Sequence, residues 1–377
     1  MHLLALGDIS FRGRCEDKVS EAVFKNVSIF LKKADLVVAN LESPLVSTDI
    51  IPITGKCTLR GSIDWAVALK KCGIDLVSLA NNHMMDYGDK GLFSTIVALD
   101  QAGISYIGAG KNRQVACSPI FREVAGRKIA FLARSSVEVS SHCFAGIEQP
   151  GVAFLDENEL VDSIRKCKIQ ADLVVVMLHW GMEHYDYPVF RQRQLAERLV
   201  SAGADILLGH HPHVLQGEER IGKALVSYSS GNFLFDEFCW SMASADGFEY
   251  TGILELTEKN RQGVMLDVCH NTEGEISTTP YFTQISDDAM VKLDNSPVRQ
   301  QEYQKLCSRL GLPLYRQFWK LYSMKREWEL RLSGHFSPSK IIRKFYKIRP
   351  RHFKELAVKL RRSAKVTSGK STNPYEG

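Results

Sequence analysis

Short β-branched and apolar runs recur along the chain, and stretches with helical spacing fill most of the gaps between them. The candidate strands are Leu3–Leu6, Leu36–Ala39, Leu76–Ala80, Ser105–Ile107, Ile129–Ala133, Leu173–Leu178, Ile206–Leu208 and Leu225–Tyr228. Helical patterns occupy about Asp17–Lys32, Ile63–Lys71, Lys90–Ala102, Glu157–Cys167 and Val189–Ala202, and Gly73, Gly103 and Gly203 stand where helices stop. Continuous apolar strands alternating with helices predict sheets covered on both faces. After Tyr250 the pattern changes: Ile253–Leu256 and Val264–Val268 flank a polar turn, which predicts a hairpin completing a sheet. From about Val298 the chain reads as helical and increasingly basic. The expected division is therefore an α/β domain over residues 1–285 and a helical, basic C-terminal extension over 286–377, frayed at its end.

With 377 residues, 45% hydrophobic and 24% charged, the chain has material for a sizeable core and the composition of an ordinary globular protein. The nine cysteines include no CxxC pair, and the odd number argues against a disulfide framework and for reduced thiols. Leu3–Leu6 is too short for a signal peptide, and no window approaches the ~18 apolar residues of a membrane span. The expected location is cytoplasmic, peripheral at the inner membrane face if the tail docks. Charge is unevenly placed: residues 340–377 hold 12 Lys or Arg against Glu355 and Glu376, and the remaining residues hold 36 basic and 41 acidic. Within the tail, Phe353, Leu356 and Leu360 fall at helical spacing among Lys354, Lys359, Arg361 and Arg362. That pattern fits a membrane surface or a synthase partner, or a helix packed on its own domain; no recognition motif supports nucleic acid.

The chemistry-bearing residues follow the strands. Gly7-Asp8 ends the first, Asn40-Leu41-Glu42 the second and Asn81-Asn82-His83 the third. His179-Trp180-Gly181 and Gly209-His210-His211-Pro212-His213 end two later ones. Loops at the carboxyl ends of strands form the ligand crevice of α/β sheets. Carboxylate, amide and imidazole groups are the ligands of a divalent transition metal. Taken singly, each has a commonplace reading as a turn, a cap or a hydrogen-bonded histidine. Five successive elements delivering such groups to one edge predict a metal site of Asp8, Glu42, Asn82, His179, His211 and His213. His83, beside Asn82, could then meet the leaving group as general acid or hold the transition-state charge.

These strings, with Ser43-Pro44, Asp86-Tyr87-Gly88, Gly108-Ala109-Gly110, Gly203-Ala204-Asp205, Tyr228-Ser229 and Gly231-Asn232-Phe233, resemble the bacterial capsule-synthesis CapA family over roughly residues 1–240. That family is similar to the calcineurin-like metallophosphoesterases. The resemblance implies an α/β sandwich of two mixed β-sheets with helices on both outer faces. It implies one or two divalent ions (Mn, Fe or Zn) held by the six residues above, with His83 catalytic. Asn40, Arg14 and Asn232 are expected at the substrate, Arg12 being the alternative to Arg14. Two departures stand out. Ser10 replaces a histidine of the metallophosphoesterase pattern, and Glu42 replaces its bridging aspartate. The implied activity is hydrolysis of a phosphoester or related anionic small molecule or polymer, linked to capsule or cell-surface polymer (poly-γ-glutamate type) production. A non-catalytic metal- or polymer-binding accessory protein and a metal-dependent amide hydrolase are the alternatives.

Overall fold

The computed structural model describes residues 1–333 apart from 17, 19, 138–142, 244–248 and 295. Its apolar runs become the strands of two mixed sheets. In the eight-stranded sheet, His2–Ile9 is central. Parallel to it on one side run Leu36–Leu41, Leu76–Ser78 and Ser105–Ile107 in turn. On the other lie the antiparallel Gln262–His270, Ile276–Ile285 and Val291–Leu293. Asn232–Leu234 pairs parallel with the far end of His2–Ile9, in the register Asp8 to Asn232. The six-stranded sheet runs Glu218–Ile221, Ala224–Ser227, Ile206–His210, Leu173–His179, Arg127–Ser135 and Ile120–Val124, its four inner strands parallel.

Strand periodicity decides which residues lie between the sheets. Leu3, Ala5, Val38 and Leu266 of the first meet Phe131, Val175, Met177 and Leu208 of the second in one buried cluster. The opposite face of the first sheet, with Leu4, Leu6, Val37 and Val77, packs on Trp65–Cys72 and Gly88–Ala102 through Trp65, Leu69, Leu92 and Leu99. Each fully buried Leu or Phe contributes about 1.5–3 kcal/mol relative to exposure. Glu157–Lys168 packs by Leu160, Val161 and Ile164 on the outer side of the strand Leu173–His179. It starts where it does because Asp156 accepts the backbone N–H groups of Asn158 and Glu159, each at 3.0 Å. The sandwich with helices outside matches the architecture expected from the sequence.

Two expectations fail. The helix over Asp17–Lys32 is replaced by two short turns, Ser20–Val23 and Ser28–Leu31. The Ser28 hydroxyl donates to the Lys25 carbonyl at 3.1 Å, a local bond that competes with a helical ladder. Val23, Phe24, Val27 and Leu31 still reach the core, so the helical spacing is met by packing without a continuous helix. The hairpin of Ile253–Leu256 with Val264–Val268 does not form. Glu249–Leu254 pairs with Phe238–Ala243, and Gln262–His270 inserts between His2–Ile9 and Ile276–Ile285. The polar turn between them is a 3₁₀ helix, Glu258–Arg261, closed by reciprocal bonds between Thr257 and Asn260.

The chain divides into two compact units. The first comprises Met1–Pro188 and Gln192–Pro313, and so includes the strand Val291–Leu293 and the helix Pro297–Leu310. The second comprises Val189–Arg191 and residues from Leu314 onward; its described part is the helix Tyr315–Ser333, with the Arg316 guanidinium 5.6 Å from the Phe190 ring centre. The basic segment 340–377 and its Phe353, Leu356, Leu360 stripe lie outside the described residues. Among the described residues no helix is long and apolar enough to cross a membrane, and no disulfide is formed.

Candidate metal centre

Two glycines let the backbone close around the strand ends. A Cβ on Gly7 would lie 2.1 Å from the Gly231 carbonyl oxygen, and one on Gly209 would lie 1.9 Å from that of Tyr228. Only glycine permits these approaches, and they draw the segment 228–232 against Asp8 and His211. His210, the first residue of the His-His-Pro-His string, faces the Leu6 carbonyl at 3.2 Å and ties the two sheets together.

The six predicted ligands converge. Asp8 Oδ1 accepts from Asn40 Nδ2 at 2.8 Å, and that same nitrogen is 3.4 Å from His179 Nδ1. His179 Nε2 is 2.7 Å from Asn82 Oδ1. The His211 backbone N–H donates to Asp8 Oδ2 at 3.2 Å. His213 Nδ1 lies 3.5 Å from Asp8 Oδ2 and its Nε2 lies 3.4 Å from Glu42 Oε1. All six residues are buried. Asp8, Glu42 and His213 each offer one ligand atom within 4.8 Å of one another, and so do Glu183, His211 and His213.

A divalent cation fits this arrangement. Both carboxylate oxygens of Glu42 and Nδ1 of His211 are buried without a hydrogen-bond partner. Orphaned buried carboxylates are costly unless a cation or donor meets them. Protonation tells the same story. Burial first, then His211 and His213, hold His179 well below the usual histidine range, and burial pushes His211 down to about 3. Both imidazoles are thus neutral, the ligand-competent form. Burial lifts the Glu42 carboxyl well above the usual carboxylate range, against the pull of His213. Burial would lower His213 too, but Glu42, Asp8 and Glu183 outweigh it and raise it to about 9. Without an ion, an imidazolium at His213 therefore supplies the positive charge that the carboxylates require.

The backbone is strained at the same place. His184, His211 and His213 have φ of 65°, 98° and 55°, conformations that non-glycine residues rarely adopt. Such strain persists where surrounding bonds over-determine it. Asn260 supplies them here, its Nδ2 donating to the His213 carbonyl at 2.9 Å and lying 3.0 Å from His184 Nδ1.

The remaining predicted residues fall into three settings. His83 is held by Asp86, Oδ2 to Nδ1 at 2.8 Å, and Lys56 Nζ meets the other Asp86 oxygen at 2.5 Å. Asp86 thereby accepts from His83 Nδ1–H and leaves Nε2 as the nitrogen that can exchange a proton. Asn40 and Asn232 bond to the ligand residues themselves: Asn40 to Asp8, and Asn232 Oδ1 to His213 Nδ1 at 2.9 Å. Arg14 is engaged by Asp236, with Nε to Oδ1 at 3.0 Å, Nη2 to Oδ1 at 2.5 Å and the backbone N–H to Oδ2 at 2.6 Å. Sequence reasoning missed Glu183 and the Lys56–Asp86 pair. The one available signal for Glu183 was its place four residues beyond His179, in the same strand-end loop.

Comparison with known proteins bears on the family of the same part of the chain. Residues 2–237 match the model of the family described as bacterial capsule synthesis protein PGA_cap. The chain is 37% identical over 243 residues to the capsule biosynthesis protein CapA of Bacillus anthracis, covering 62% of this chain and 59% of that one. It is 35% identical over 240 residues to the PGA biosynthesis protein CapA of Bacillus subtilis, covering 62% of each. The match thus spans about three fifths of those relatives' length. Among solved structures, the Haemophilus influenzae NAD nucleotidase aligns with 81% of this chain and 55% of its own at 13% identity and a TM-score of 0.40. That superposition is too loose to bear on chemistry. On the family match and the two relatives, the chain belongs to the bacterial capsule synthesis protein PGA_cap family.

Proposed function

We propose that this protein is a metal-dependent, phosphoesterase-like hydrolase acting on an anionic substrate in capsule or related surface-polymer production. The observation that carries the reading is Glu42, whose two buried carboxylate oxygens have no hydrogen-bond partner beside Asp8 and His213. Asp8, Glu42, His211 and His213 would hold the ion, with Asn82 and His179 beside them. When bound, such an ion supplies positive charge to an anionic substrate and polarises the bond to be broken.

The protein's own groups do the rest. Asn40 and Asn232 orient Asp8 and His213 by hydrogen bonds, which is how outer groups fix a ligand's geometry. Asp86 fixes His83 with Nε2 available, so that His83 can hand a proton to the departing oxygen. A second reading, a non-catalytic accessory protein, is favoured by Ser10. It is fully buried where the metallophosphoesterase pattern carries a further histidine.

The test is metal analysis of the purified protein, then assay of manganese-loaded protein against a panel of phosphoesters and γ-glutamyl peptides. Metal-dependent turnover of a phosphoester is the expected result. Cleavage of the peptides alone would replace the reading with amide hydrolysis. Bound metal without any turnover would support the accessory reading, and no bound metal would end both.

A further inference from the structure

Two arginines follow the strand that carries Asp8, and the structure separates their roles. Arg14 is neutralised: the buried Asp236 takes its guanidinium and its backbone N–H, and the Asp287 carbonyl accepts from Nη1 at 2.7 Å. Arg12 is half-buried and has neither an ion pair nor a guanidinium hydrogen bond among the described residues. Its guanidinium carbon lies 5.2 Å from the ring centre of Phe238. An aromatic face orients a planar cation without satisfying its N–H donors.

Its surroundings lead to both halves of the centre. Phe238 shares an apolar cluster with Leu59 and Phe235, and the Phe235 ring lies 4.9 Å from that of His213. On the other side, the Arg12 charge is felt at Cys57 and Tyr87, where burial raises both groups and Arg12 opposes it. Tyr87 directly follows Asp86, the partner of His83. Arg12 is thus a half-buried, pre-oriented and uncommitted cation, held on a ring of the cluster that also carries Phe235, the neighbour of His213.

We propose that Arg12, and not Arg14, is the specificity-determining residue that receives an oxyanion of the substrate distinct from the group at the metal centre. The substrate class is then one with at least two anionic groups, either a polyphosphate-type chain or an oligomer of carboxylates. The assignment rests on the reading under Proposed function and specifies its substrate. A guanidinium edge donates two parallel hydrogen bonds to a carboxylate or phosphate, which a lysine cannot reproduce.

The experiment is calorimetric titration of full-length protein, manganese-loaded and metal-free, with three probes: inorganic phosphate, tripolyphosphate and γ-linked triglutamate. Arg12→Gln should weaken the preferred multi-anion probe at least tenfold, leave inorganic phosphate within about twofold and leave the unfolding midpoint unchanged. Arg12→Lys should recover part of the loss. Arg14→Gln should bind every probe as the parent does but unfold at lower temperature, because Asp236 loses its partner. Which multi-anion probe binds distinguishes phosphate from carboxylate chemistry. Unchanged binding by Arg12→Gln, or an equal loss in Arg14→Gln, overturns the assignment while leaving the metal centre standing. A parent that binds no probe in either state overturns both.

Discussion

Removing the metal should loosen the protein by an amount the site itself bounds. Three buried atoms lack hydrogen-bond partners: Glu42 Oε1, Glu42 Oε2 and His211 Nδ1. Each such orphan costs ~1–3 kcal/mol. An ion that meets all three can therefore relieve at most about 3–9 kcal/mol. What a melting experiment reads is set by mass action, and an ion at a hundred times its Kd stabilises by about 2.7 kcal/mol. For a domain of this size, 1 kcal/mol moves the midpoint by ~2 °C, so saturating manganese should raise it by about 5 °C over EDTA-treated protein. The assay is thermal unfolding of parent, Glu42→Ala and His211→Ala across a manganese titration. The shift should vanish in Glu42→Ala and shrink in His211→Ala. Identical midpoints with EDTA and with manganese in the parent, or a full shift in Glu42→Ala, would refute the reasoning.

His83→Ala should retain bound metal while losing about 10²–10⁴-fold in turnover, whereas His213→Ala should lose the metal; metal analysis beside the rate assay separates them. Gly209→Ala should cost about 3 kcal/mol and lower the midpoint, because the new Cβ would lie 1.9 Å from the Tyr228 oxygen and 2.7 Å from Trp180 Nε1. A midpoint equal to the parent's would contradict the packing described. In EDTA, stability should fall as pH rises from about 6.5 through about 9. His213 is raised to about 9, so the folded protein holds a proton that the unfolded chain has released. Manganese-loaded protein, where the ion replaces that proton, should lack this fall in a pH series of melts. We also propose that the basic segment 340–377 docks to an anionic surface. A 1–339 truncation should then co-sediment less with anionic liposomes at low salt, and equal, salt-insensitive behaviour of the two proteins would dismiss it.

The strands were legible because most are continuous apolar runs, and the site was legible because its residues cluster immediately after them. Asp8, Glu42, Asn82, His179, His211 and His213 needed only the rule that ligands gather at strand ends. Features set by distant partners were not legible. Arg14 finds Asp236 across 222 residues, so no local pattern could show that its charge is spent. The apolar run Val264–Val268 carries a strand signal but no indication that it joins His2–Ile9. Periodicity overestimated the helix near Phe24 because it reports which residues are buried, while a serine hydroxyl decided whether the backbone stayed helical.

The central place of His2–Ile9 in the larger sheet has a consequence for synthesis. Its partner on one side, Leu36–Leu41, emerges from the ribosome soon after it; its partner on the other, Gln262–His270, is made 221 residues later. At ~5–20 residues per second the nascent chain waits roughly 10–45 s with one edge of that strand unpaired. Until residues 211 and 232 have been made, late in that interval, Asp8 has neither Asn232 nor His211 beside it, and the centre cannot hold an ion with its full ligand set. An open, apolar strand edge recruits other chains. That edge of the nascent chain therefore stays exposed until Gln262–His270 arrives, and an ion could meet the full ligand set only once His213 has been made.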